Sequence, residues 1–111
     1  MKVLPDKEAF ETIKPKSRPV YQKAWMKFML FAEGNNFENE MPGEDVLSRY
    51  FKELRASGAA SSTLWTTYSL INAVIKAKYG ERLQKYPRLT SLIKSFDTGK
   101  QIIILLQIMN A

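Results

Sequence analysis

Thr66, Ser69, Ala73 and Lys76 follow one another at steps of three and four residues, so on a helix they share one side. That side is small, carries two hydroxyls and ends in a cation. It is suited to hydrogen bonding with a polyanion in a groove, not to making or breaking bonds. Lys78, Arg82, Lys85 and Arg88 carry the basic character onward into the next turn. Nearer the N-terminus, Lys23 and Lys27 lie four apart, a spacing that repels on a helix and is relieved by a bound anion. A solvated flank is the competing reading of those two lysines. The chain has neither His nor Cys, which removes Cys/His zinc sites, Cys nucleophiles and the imidazole general base. The sequence therefore predicts no catalytic residues, no metal ligands and no cofactor. The acidic run Glu33, Glu38, Glu40, Glu44 and Asp45 lacks the alternating ligands, central glycine and terminal glutamate of a calcium loop. Its readings are repulsion of DNA from the wrong surface or plain solvation.

The element that must position the hydroxyl stripe is a long helix over Ser61 to Tyr79. Ser61 or Ser62 offers a capping oxygen at its start, and Gly80 offers the residue most tolerant of a left-handed end. Leu64, Tyr68, Ile71 and Ile75, flanked by Val74 and Tyr79, form the apolar side. Trp65 and Asn72 border the other. A second helix runs from about Ser17 to Glu33, with Tyr21, Ala24, Trp25, Phe28 and Phe31/Ala32 as its core stripe. A third runs from Glu44 to Ser57, with Val46, Leu47, Tyr50, Phe51 and Leu54 inward and Arg49, Lys52 and Arg55 outward. Only Gly58 to Ser61 separates it from the long helix, so the two must be neighbours. Pro87 opens a further helix with Leu89, Leu92, Ile93 and Phe96 on one side, ended by Asp97-Thr98-Gly99.

At 111 residues, with 45% hydrophobic and 12% aromatic side chains, the chain is of single-domain size and globular composition. Its net charge is +6 and its isoelectric point about 9.6. Residues 59–111 hold seven basic and two acidic side chains, net +5; residues 1–58 hold ten and nine, net +1. A polyanion surface and a solubilising charge excess are the two explanations. With no secretory h-region and no run of about 20 apolar residues, neither a signal peptide nor a membrane anchor is predicted. The expected location is the nucleus in a eukaryote and the cytoplasm otherwise.

Residues 1–16 read as an N-terminal arm, with a short helix over Lys7 to Ile13 capped by Asp6 and a basic stretch of Lys14, Lys16 and Arg18 after it. That stretch lies along phosphates or is a solvated connector. Residues 17–100 read as the helical domain and 101–111 as an apolar tail. Ile102 to Met109 either packs on the chain's own core or docks on a second copy or another domain, so a homodimer or protein partner is the alternative to DNA.

Four fragments then fall in a familiar order: Pro-Lys-Ser-Arg-Pro-x-Tyr-x-x-Ala-Trp-x-x-Phe over Pro15 to Phe28, Asp-Val-Leu-x-x-Tyr-Phe-x-x-Leu over Asp45 to Leu54, Ser-Thr-Leu-Trp-x-x-Tyr-Ser over Ser62 to Ser69, and Lys-Tyr-Pro-x-Leu-x-x-Leu-Ile-Lys over Lys85 to Lys94. Together they resemble the N-terminal core-binding domain of the tyrosine recombinase and phage integrase superfamily, in particular its animal, Crypton-like relatives. The resemblance implies an all-α, SAM-like bundle of four or five helices that clamps one side of double-stranded DNA. It also implies that the helix matching Ser62 to Tyr79 faces the DNA with Thr66, Ser69, Ala73 and Lys76, and that segments around the Ser17 helix add backbone contacts. The family's catalytic tyrosine and its phosphate-activating residues belong to a separate domain. None of Tyr21, Tyr50, Tyr68, Tyr79 or Tyr86 has a histidine partner in this sequence.

Overall fold

The computed structural model describes residues 3–33, 37 and 40–96. Those residues form an all-α bundle: α1 (Asp6–Glu11), α2 (Arg18–Phe31), α3 (Glu44–Ala56), α4 (Ser61–Tyr79), a 3-10 turn (Leu83–Lys85) and α5 (87–96). The tail at 101–111 and the helix stop at 97–99 lie outside the described residues, as does Glu38 of the acidic run.

The core is centred on α4, which α1, α2 and α3 all contact. Leu64, Ile71 and Ile75 are fully buried, and Tyr68, Val74 and Tyr79 nearly so. From α2, Trp25 and Phe28 reach inward, with Trp25 6.5 Å from the Tyr79 ring. Phe28 meets Tyr50 of α3 edge-on at 5.2 Å. Val46, Leu47, Tyr50 and Phe51 line α3, and Leu89 and Ile93 close the core from α5. Burial of so many large side chains stabilises the bundle by about 1.5–3 kcal/mol for each one fully removed from water.

The N-terminal segment belongs to this core and is not a detached arm. Ala9 and Phe10 are buried, and α1 packs against α4. Asp6 is the first residue of α1, with Pro5 in the capping position. The end of α1 is finished by Arg18, whose Nε donates to the Phe10 and Ile13 carbonyls at 2.8 and 2.9 Å and whose Nη2 donates to Glu11 O at 2.9 Å. A guanidinium on the orphan carbonyls of a helix end satisfies both their hydrogen bonds and their partial negative charge. Arg18 is therefore a structural cap and not part of a phosphate-binding arm.

Helix ends differ from expectation in their means more than in their places. No serine caps α4: Ala60 occupies the N-cap position, and Ser61 Oγ is buried with no hydrogen-bond partner among the described residues. Gly80 does adopt the left-handed conformation (φ 71°, ψ 14°), and its N–H bonds Lys76 O at 3.0 Å. Gly58, at φ 100°, makes the corresponding reversal after α3. The start of α5 is capped from another helix. Glu44 Oε2 accepts the Arg88 and Leu89 N–H groups at 2.8 and 3.2 Å, tying the first turn of α3 to the first turn of α5.

Candidate nucleic-acid interface

The outer side of α4 is open to solvent, as the helical spacing requires. Thr66, Ser69 and Lys76 are exposed and Ala73 is partly so. The 19 residues of α4 give it a length of about 28 Å. Ser62, read from sequence only as a cap, is exposed on the same side, four residues before Thr66 and seven before Ser69. Its phase on the helix, in step with Thr66 and Ser69, is the signal by which the sequence could have placed it there. The hydroxyls are not equivalent. Thr66 Oγ1 donates to Ser62 O at 2.9 Å and Thr67 Oγ1 to Thr63 O at 2.8 Å, so both protons are engaged within the helix. Thr66 therefore presents an acceptor oxygen and must rotate away from Ser62 to donate to a phosphate. Among the described residues, no hydrogen bond is found for the Ser69 hydroxyl, and no ion pair for the Lys76 ammonium.

Asn72 joins this face to the basic turn. Its Oδ1 accepts the Leu83 N–H at 2.8 Å, and its Nδ2 donates to Gln84 Oε1 at 3.3 Å. With Leu83 fully buried, the 3-10 turn is fixed against the Asn72 edge of α4, one helical turn from Lys76. Arg82, immediately before that turn, is exposed. Lys85 is more committed: it pairs with Glu81 at 3.5 Å and lies 5.8 Å from the Tyr86 ring centre. An exposed pair of this kind contributes little to stability and yields readily to a competing anion. Arg88 is exposed at the start of α5, where it borders a shallow depression with Pro87, Ser91, Leu92 and Ser95.

Three basic residues singled out in the sequence lie elsewhere. Lys78 is buried: its Nζ pairs with Asp6 Oδ1 at 2.8 Å and donates to Leu4 O at 2.9 Å, while Leu4 N–H donates to Lys78 O at 2.8 Å. It follows Val74 by four residues and Ile71 by seven, which puts it on the core side of α4. It is a structural tie and not a DNA contact. Lys23 and Lys27 are exposed, but they stand on the side of α2 opposite Trp25 and Phe28, turned away from α4. Arg55, expected to point outward, is only partly exposed. It donates to Ala59 O at 2.9 Å and covers the Phe96 ring at 5.9 Å.

Three tyrosines, Tyr50, Tyr79 and Tyr86, have their neutral form favoured by the fold. Burial raises the Tyr50 hydroxyl above its ordinary value. Tyr79 is raised well above it, by burial first and then by the Asp6 carboxylate. Tyr86 is raised by burial and by Glu44, Glu81 and Glu40. Tyr79 and Tyr86 donate to the carbonyls of Phe37 and Pro42 at 2.6 and 2.8 Å, pinning the chain between α2 and α3. Protonated, hydrogen-bonded phenols of this kind act as braces. Among the described residues no group of three or more acidic side chains could hold a metal ion, and no helix is long and apolar enough to cross a membrane.

No family model, no curated protein and no solved structure matches this chain.

Proposed function

We propose that this chain is a non-catalytic module that binds double-stranded DNA, laying the outer face of α4 toward a groove and placing Lys76, Arg82, Lys85 and Arg88 near phosphates. The observation that carries this reading is the Asn72 tie, which holds the basic turn beside an exposed, hydroxyl-bearing helix face. Ser62, Thr66, Ser69 and Ala73 are short enough for the helix to approach a groove closely, and the cations at one end supply sequence-independent attraction. The same reading takes the bundle as similar to the core-binding half of a tyrosine recombinase, the half that grips DNA while another domain does the chemistry.

Fluorescence anisotropy with a random duplex, titrated over salt, tests it. Affinity should fall steeply as salt rises. Replacing Lys76, Arg82 and Arg88 together by Ala should flatten the slope of log K against log salt by about 2.7, at about 0.9 for each phosphate that is no longer neutralised. A binding curve indifferent to salt, or a slope unchanged in the triple variant, refutes the reading.

A further inference from the structure

The exposed large apolar side chains of the described residues all lie on α2. They are Val20, Met26, Leu30 and Phe31, at 53%, 63%, 69% and 39%, and of these Phe31 also rests against the Tyr50 ring at 5.2 Å. Scattered singly they would mean little, but they share one helix face with Lys23 and Lys27. At 100° per residue the two lysines lie about 40° apart along the middle of that face. Met26 and Leu30 make an apolar row on one side of them, Val20 and Phe31 on the other. No acidic residue of α2 interrupts the pattern, because the helix contains none.

We infer that this face is a docking site for an acidic amphipathic helix of a partner protein, one whose carboxylates meet Lys23 and Lys27 and whose apolar side chains cover the two flanking rows. The arrangement selects this occupant over the others. DNA phosphates would answer the lysines and leave Met26 and Leu30 facing water. A membrane surface would take the apolar rows but immerse the two ammonium groups between them, whereas helices that lie on membranes carry their lysines on the polar flank. A second copy packed α2 against α2 would bring four ammonium groups together with no carboxylate on either helix, a like-charge contact that opposes association. The apolar segment Ile102 to Met109 contains no acid and leaves the lysines unanswered. An acidic helix with carboxylates at i and i+4 and apolar neighbours on both sides meets every element of the face, packing along α2 helix on helix.

The probe is a synthetic peptide of the length of α2, 14 residues, with two glutamates four apart and leucines flanking them. A control peptide carries lysines at the glutamate positions. Binding of each to the full chain is followed by fluorescence anisotropy. The acidic peptide should bind and the basic one should not. Lys23→Glu with Lys27→Glu should reverse that preference, and Met26→Ser with Leu30→Ser should weaken the acidic peptide by at least about tenfold, the loss expected when two interface anchors are truncated. Because all four residues are exposed, circular dichroism should show every variant folded. Absence of acidic-peptide binding overturns the inference, and so does binding unaffected by the serine pair, which would be charge attraction alone. A Leu30-dependent association with phosphatidylserine vesicles, a Leu30-dependent doubling of mass, or displacement of the peptide by duplex DNA would assign the face to lipid, to a second copy or to DNA, and overturns it equally.

Discussion

The outward sides of α2 and α4 are both exposed and both basic, yet they are built from different materials. On α4 the side chains are short, with Ser62, Thr66, Ser69 and Ala73 leading to a single Lys76. On α2 they are long and oily, with two lysines running between rows of Met, Leu, Val and Phe. A short hydroxyl stripe lets a polar polymer come close to the helix axis, while long apolar side chains gain only from a partner that removes them from water. Net charge does not distinguish the two surfaces. The residues around each cation decide what that cation is for.

The sharpest test of this contrast lies within α2 itself. Phe28→Ala should destabilise the fold by about 3–5 kcal/mol, because it empties the core beside Trp25 and Tyr50, where Phe28 is fully buried. Leu30→Ala, two residues on, should change stability by less than about 0.5 kcal/mol. Urea unfolding of the two variants measures both, and a large loss at Leu30 would mean that its face is already covered in the folded chain.

A second pair breaks or sharpens the division on α4. Lys78→Ala removes a buried ammonium and leaves Leu4 O and Asp6 without their partner, so it should lower the unfolding free energy by about 1–3 kcal/mol. Lys76→Ala should barely alter stability and should weaken DNA binding at low salt. Should the two variants lose DNA affinity equally while keeping equal urea midpoints, the separation of a structural lysine from a surface one fails.

The smallest effect expected near neutrality concerns pH. The folded state holds Tyr50, Tyr79 and Tyr86 above the ordinary tyrosine value of 10.0, so it favours their neutral form more than the unfolded chain does. Their contribution is fully present below about pH 10 and is lost as the pH rises beyond it, where the unfolded chain releases its phenolic protons first. Urea midpoints should be insensitive to these groups from pH 7 to about 9 and should fall above about 10. Tyr79→Phe should reduce that alkaline loss.

Much of this fold was legible in residue order. The all-α class, the core faces of α3 and α4, and the left-handed Gly80 follow from periodicity and from a glycine where the helix must reverse. Lys78 was legible too, since its phase with Ile71 and Val74 marks it as inward despite its charge; nearness to the basic turn hid that. Illegible were the contacts that a helical wheel cannot represent. The Glu44 carboxylate on the amides of α5 and the Arg18 guanidinium on the carbonyls of α1 join residues by the path of the backbone, not by any local pattern. The α4 start shows the converse error: two serines in a row look like a cap, but the chain turns one residue earlier, at Ala60. The exposed row on α2 was missed because the aromatic stripe beside it accounted for the helix and drew attention from its other side.

The tie between Leu4 and Lys78 spans 74 residues of chain. During synthesis Leu4 and Asp6 leave the ribosome well before Lys78, because their partner is made only after α2, α3 and most of α4. Until then α1 has neither the ammonium nor the apolar wall of α4 to rest against, and six residues are too few to hold a helix alone. The short α1 must therefore wait for α4, and its docking reports that α4 has formed to within a turn of its end.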